Sequence, residues 1–185
     1  MNMNIQELDI KQKEVFGSGI EHQVFTSDVN PNIIFKVGHK DVVNEWYNVF
    51  RSNPTIFPKV FRMGQLKDKN YYYVELEKLD TKKFEKKWDS LTLSLDEIGV
   101  INTDYSESFS DLYMSEGSDS EVFKQIAKEL KSKKNKSFNF FIELLTLIKE
   151  CERAILSTTG KDTLIDVHQY NFGYSSDGKL KCLDL

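Results

Sequence analysis

The sequence has little of what marks a secreted, membrane-embedded or nucleic-acid-binding chain. Only two of its 185 residues are cysteine, Cys151 and Cys182, and neither has a CxxC partner. Neither a zinc site nor a disulfide framework is indicated. No apolar run approaches the roughly 18 residues that read as a membrane span. The opening stretch, MNMNIQELDIKQKE, lacks the apolar core of a signal peptide. Positive charge is in deficit as well: 25 Lys and Arg stand against 29 Asp and Glu, a formal net charge of −4. That balance offers no basic field to a polyphosphate backbone, which argues against nucleic acid as a partner. What is present is 39% hydrophobic and 12% aromatic residues, too rich for a disordered chain. The length suits one well-buried domain or two small lobes sharing a cleft. The expectation is a cytoplasmic protein with no membrane partner.

Hydrophobic patterning predicts an α+β chain with strands first and helices after. Glu14 to Thr26 reads as two extended runs around Gly17 and Gly19, a hairpin signal. Ile33 to Val37 is a β-branched run after the turn Asn30-Pro31-Asn32, and Asp41 to Arg51 has helical spacing with Val42, Trp46, Val49 and Phe50 on one face. Phe57 to Met63 and Tyr71 to Leu76 read as strands on either side of a loop, Gly64 to Asn70. Helices are expected over Phe84 to Ile98, Glu121 to Lys134 and Phe138 to Leu156. Between the first two, residues 96–121 hold eight acidic residues, six Ser and no Lys or Arg. That composition predicts an exposed, mobile insertion with a short helical piece near Phe109 to Met114. The tail, 164–185, reads as a loop followed by a hairpin turning at Asp177-Gly178. The predicted division is 1–80 and 81–185.

Four local features carry chemistry, and their order says more than any one alone. Gly17-Ser18-Gly19 in a hairpin lets backbone N–H groups approach phosphate with no Cβ in the way; alone it also fits an ordinary turn. Lys36 ends an apolar strand, where a lysine also fits by snorkelling at an edge. Glu45 lies in the helix that follows, where a solvated face is the plain alternative. Last come Asp166, Asn171 and Asp184, a carboxylate, an amide oxygen and a second carboxylate on a loop and its adjoining hairpin. Hard oxygen donors of this kind suit Mg²⁺ and the placing of a hydroxyl for phosphoryl transfer. A turn cap at Asp166 and a left-handed position at Asn171 remain open alternatives. The Tyr71-Tyr72-Tyr73 run reads as an alternating strand, the lysines of 131–136 as a solvated helix end, and Cys151 as a small buried hydrophobe.

With these residues in that order, the sequence resembles the protein-kinase-like fold. That group includes the aminoglycoside and choline phosphotransferases and small kinase-like proteins of bacteriophage genomes. Gly17-x-Gly19-x-x-His22-x-Val24 resembles the glycine-rich loop, with His22 in place of the third glycine. Ile33-Ile34-Phe35-Lys36 resembles the V-A-I-K strand, with Glu45 as the helix partner of Lys36, and Glu77 to Leu79 would be the hinge that meets adenine. Asp166-x-His168-x-x-Asn171 is similar to the D-x-H-x-x-N form of small-molecule phosphotransferases, and Asp184 takes the place of the metal-binding aspartate of D-F-G. Leu164-Ile165 stand where protein kinases carry H-R.

The resemblance implies a two-lobed fold with a nucleotide-binding N-terminal lobe and a reduced helical C-terminal lobe. It implies ATP and Mg²⁺ as cofactors, with Gly17, Ser18, Gly19, Val24, Lys36, Glu77 and Leu79 on the nucleotide and Asn171 and Asp184 on the metal. Lys36 would hold the α/β-phosphates, aimed by Glu45, and Asp166 would orient the acceptor hydroxyl. One residue follows Asp184, so a substrate platform is expected from residues 96–121, from a protein partner or from a second copy in a homodimer. The alternative implied by the same resemblance is a pseudokinase, a module that binds a partner protein without phosphoryl transfer.

Overall fold

Every second residue of Ile33-Ile34-Phe35-Lys36-Val37 faces the same side of a pleat, and here both sides are buried. This strand is the centre of a sheet, and the sheet organises the first 79 residues. The computed structural model describes residues 2, 3, 10–18, 22–66, 71–101 and 108–184, with side chains over 23–66, 71–101 and 108–184. Its elements up to Leu79 are β1 (Asn2–Met3), β2 (Ile10–Ser18), β3 (His22–Ser27), β4 (Ile33–His39), α1 (Lys40–Ser52), β5 (Val60–Leu66) and β6 (Tyr71–Glu77). Strand order is β1-β5-β6-β4-β3-β2, antiparallel except for the short parallel pairing of β1 with β5.

Register decides which side chains share a face. Phe25 pairs with Phe35 and Val37 with Tyr73, and these four join Leu66 in one buried cluster. Val24, Lys36 and Val74 stand opposite one another on the other face. α1 lies against that second face, burying Val43, Trp46, Val49 and Phe50, with Phe50 stacked on Phe57 at 4.8 Å. The buried valine is thus Val43 rather than the expected Val42. The predicted loop from Gly64 is also shortened, because β5 continues to Leu66. Gly64 pairs with Tyr73, and the buried Tyr73 ring occupies the space a Cβ at Gly64 would need, 2.5 Å away.

The chain divides into two compact units, Met1–Leu79 and Asp80–Leu185. The second contains α2 (Thr81–Glu97), α3 (Phe109–Glu116), α4 (Glu121–Ser132), α5 (Phe138–Thr159), β7 (Phe172–Tyr174) and β8 (Leu180–Cys182). Polar residues set the helix starts. Asp80 accepts from the Lys83 N–H, and Ser108 and Asp111 form a reciprocal capping box. α5 stops at Gly160, whose φ of 72° is open to glycine, with its N–H bonded to the Leu156 carbonyl at 2.9 Å. The core is aromatic. Phe84 meets Trp88, Phe140 and Phe172 at 5.4–5.7 Å, and Phe109 meets Trp88, Phe123 and Phe141. Aromatic pairs in such geometry add about 0.5–1.5 kcal/mol each beyond the area they bury.

One expectation is overturned here. The acidic stretch 96–121 is not an exposed insertion over its described residues: Ile101, Phe109, Tyr113 and Ser118 are buried, and α3 is part of the core. Its acidic residues line the outside of a helix whose two aromatic rings point in. Residues 102–107 lie outside the described part. A smaller correction concerns Leu156, expected on the buried face of α5 and 47% exposed.

The architecture is α+β, an antiparallel sheet with one helix, then a mainly helical part with a two-stranded hairpin. Among the described residues no helix is long and apolar enough to cross a membrane.

Candidate functional site

The two units each gather part of the residue set singled out by sequence. In the sheet unit Lys36 is 2% exposed, and its Nζ sits 4.1 Å over the Trp46 ring and 6.0 Å from the Phe50 ring. A buried ammonium costs several kcal/mol in lost hydration, and a desolvated cation over an indole recovers about 2 kcal/mol. The contact aims Lys36 at the turn of α1 that also carries Glu45, which is half-buried. Val24, directly opposite Lys36, shares its face.

Gly17 and Ser18 lie in β2, paired with Val24 and Gln23, so the expected hairpin is present. Gly19 lies outside the described residues. At the far end of β6 the Glu77 N–H bonds to the Lys59 carbonyl at 2.9 Å and the Lys78 N–H to the Asn32 carbonyl at 2.8 Å. Of the expected hinge, Glu77 to Leu79, the first two N–H groups are therefore engaged within the sheet unit. Leu79 is buried.

In the helical unit the loop after α5 runs extended with alternating exposure. Leu164 and Asp166 face out while Ile165 and Val167 are buried, so two apolar anchors present the carboxylate between them. α3 holds this stretch in place. Ser110 donates to the Val167 carbonyl, and the Tyr113 hydroxyl donates to Glu152 while meeting the Ile165 backbone. Burial first, then the Glu152 carboxylate, pushes the Tyr113 phenol far above its usual range, so it remains a neutral donor.

The loop then closes on itself. The Asn171 amide nitrogen donates to the Asp166 carbonyl at 2.9 Å and to Asp166 Oδ2 at 3.2 Å. Two acceptors on one side fix which way the amide faces and turn its oxygen the other way. His168 Nε2 lies 3.2 Å from the same Asp166 oxygen, and His168 Nδ1 accepts from the Tyr170 N–H at 3.1 Å. The His168 ring thus lies between a backbone N–H and a carboxylate.

Asn171 is 9% exposed and anchored at both ends. Its N–H meets the His168 carbonyl at 3.0 Å, and its own carbonyl accepts from the Leu183 N–H at 2.7 Å. With Phe172 paired to Cys182, Asn171 and Asp184 flank the same end of the β7–β8 hairpin. The Cys182 thiol reaches the Asp184 carbonyl at 2.8 Å, and Cys182 in turn hydrogen-bonds buried Cys151, whose thiol is pushed well above its usual range, chiefly by burial. These cysteines are inert packing rather than nucleophiles.

Sequence reasoning missed three contributors. Trp46, under the Lys36 ammonium, was read only as a core residue. Ser110 and Tyr113, which hold the loop from α3, lie in the stretch taken for an insertion. The Ser108-x-x-Asp111 capping box was the available signal that a stable helix begins there.

Chemically, the Asn171 amide oxygen and the Asp184 carboxylate are hard donors. Mg²⁺ takes only one or two protein carboxylates and completes its shell with water and phosphate, so this donor set fits it. Among the described residues no group of three or more His, Cys, Asp and Glu side chains is placed to hold a metal ion, which separates this arrangement from an all-protein metal cage. No known protein-family description matches the chain, and no curated protein matches it.

Proposed function

We propose that the protein is a kinase-like phosphotransferase that uses ATP and Mg²⁺ on a hydroxyl acceptor. The observation that carries this reading is the loop of the helical unit. There Asp166 is exposed yet held by Asn171, and Asn171 is tied through Leu183 to the end of the hairpin that bears Asp184. The order of motifs from Gly17 through Lys36 to Asp184 supports it, as does Lys36 on the third strand of an antiparallel run.

In this reading Asn171 and Asp184 would hold the metal, which would neutralise charge on the transferring phosphate. Asp166 accepts the acceptor's proton late in the transfer, once bond formation to phosphorus has made the hydroxyl acidic. Lys36 supplies a fixed positive charge to the phosphates, its burial keeping it aimed. The residues contribute placement and charge compensation rather than covalent catalysis. In this reading the protein works in the cytoplasm, where ATP is abundant.

The engaged N–H groups of Glu77 and Lys78 favour a second reading, a pseudokinase that binds a protein partner without transfer. A thermal-shift measurement with ATP, with and without Mg²⁺, on wild type and Asp184→Asn separates the two. Saturation at about 100 times Kd corresponds to about 2.7 kcal/mol, roughly 5–10 °C for a chain of this size. The phosphotransferase reading expects that shift with Mg²⁺ in wild type and its loss in Asp184→Asn. Absence of any Mg²⁺-dependent nucleotide shift overturns it. A shift without turnover of ATP against proteins, sugars and aminoglycosides supports the pseudokinase.

A further inference from the structure

We propose that His168 is a positioning residue that fixes one oxygen of the Asp166 carboxylate and leaves the other for the acceptor hydroxyl; this rests on the phosphotransferase reading. The argument is one of proton inventory. A neutral imidazole has one N–H and one bare nitrogen. The Tyr170 N–H donates to His168 Nδ1, so that nitrogen is bare and the proton is on Nε2. Nε2 lies 3.2 Å from Asp166 Oδ2, which makes that carboxylate oxygen the nearest acceptor this N–H can turn to. Asn171 Nδ2 donates to the same oxygen.

Asn171 bonds Oδ2 and His168 Nε2 crowds the same oxygen, leaving Oδ1 turned toward solvent on a side chain 66% exposed. The ring of His168 is braced by Tyr170, which meets it edge-on at 5.5 Å. The alternate spacing of Asp166, His168 and Tyr170 lets one short loop supply the carboxylate, its donor and the group that sets the donor's tautomer. Asn171 alone would leave the carboxylate held from one side. A bond from His168 would hold the oxygen from two sides, and a 1 Å misplacement of a reacting group can cost about a hundredfold in rate.

The test combines a spectroscopic signature with rescue. Long-range ¹⁵N–¹H correlation of the imidazole rings, assigned with His168→Gln, is expected to show a bare Nδ1 and a protonated Nε2 on His168 at neutral pH. In His168→Ala the Asp166 carboxyl carbon signal is expected to move, and in His168→Gln, whose amide N–H replaces Nε2–H, to return most of the way. γ-Phosphate release from Mg·ATP is expected to fall at least tenfold in His168→Ala at unchanged Mg·ATP thermal shift, and to recover to within about threefold in His168→Gln. A proton on Nδ1, an unmoved Asp166 signal, or wild-type release by His168→Ala overturns the proposal. If wild type shows no Mg·ATP shift, the phosphotransferase reading falls by itself, while the tautomer and the Asp166 signal still decide whether His168 holds the carboxylate.

Discussion

Lys36 and Asp166 are the two charged residues that the sequence motifs set at the centre of any chemistry, and the two units hold them in opposite ways. Lys36 is buried within a sheet, and its direction follows from strand register and from Trp46 beneath it. Asp166 is exposed on an irregular loop, and its direction follows from the Asn171 amide bonded to it, with His168 Nε2 3.2 Å away. Packing thus aims the first and polar contacts aim the second. The first should resist local change and yield only when the sheet core is disturbed. The second is sensitive to single polar groups, but its loop rests on the aromatic core through α3. The difference predicts where substitutions far from either charge will be felt.

The largest effect belongs to the aromatic core of the helical unit. Phe84 is fully buried and touches Trp88, Phe140 and Phe172, so Phe84→Ala removes the ring shared by α2, α5 and β7. Such truncations cost about 3–5 kcal/mol. Urea unfolding followed at Trp88 is expected to show a loss of that size, and hydrogen exchange to show it across residues 80–184. A loss below about 1 kcal/mol would mean that the aromatic cluster does not carry the unit, and the contrast drawn above would fail.

The counterpart in the sheet unit is smaller and of opposite kind, an overfilling rather than a cavity. At Gly64 an added Cβ lands 2.5 Å from the buried Tyr73 ring, which the sheet cluster of Phe25, Phe35, Val37 and Leu66 holds in place. Overpacking of this sort costs about 1–3 kcal/mol. Gly64→Ala is therefore expected to lower the denaturation midpoint by that amount, and Gly64→Ala combined with Tyr73→Phe to recover part of it, since the Tyr73 hydroxyl is one of the nearest atoms. No loss in the single variant would show that the β5–β6 pairing can slide, and that register does not hold Lys36.

This same contrast explains what the sequence disclosed. β4 was legible because alternation and β-branching are local properties of Ile33 to Val37, and the order of motifs was legible because it is written along the chain. The start of α2 at Thr81 rather than Phe84 was missed, although Asp80 is a cap residue of the preferred kind. The nature of α3 was missed because composition averages over a window. Eight acidic residues outweigh Phe109 and Tyr113, yet two buried rings suffice to anchor a short helix. The hold on Asp166 was out of reach for a different reason. Ser110 reaches Val167 across 57 residues, and no local period records such a contact. Motif order named residues in both units, whereas the long-range bond from Ser110 that steadies the Asp166 loop leaves no mark in the local sequence.

The smallest expected effect lies in the β7–β8 turn, where a single carboxylate again does by hydrogen bonding what packing does in the sheet. Ser175 donates to Asp177, and Lys179 Nζ lies 3.3 Å from its other oxygen. The Ser175 hydroxyl first, then Lys179, holds the Asp177 carboxyl down at about 2 against an ordinary 3.8. A carboxyl lowered by folding contributes stability that is fully present above its unfolded value and lost as pH falls through its folded value. The turn is therefore expected to hold at pH 5 and to loosen between about pH 4 and pH 2, with the Gly178 amide signal as reporter, since its N–H bonds the Ser175 carbonyl at 2.9 Å. Because Asp177 is exposed, salt should weaken the contribution of Lys179 and leave that of Ser175. Asp177→Asn is expected to abolish the acid transition at Gly178 while leaving the β4 and β6 amides, which are held by register, unmoved. A Gly178 midpoint near 4 in wild type would mean that the Ser175 bond does not persist in solution. The hairpin end that carries Asp184 would then depend on the aromatic core alone.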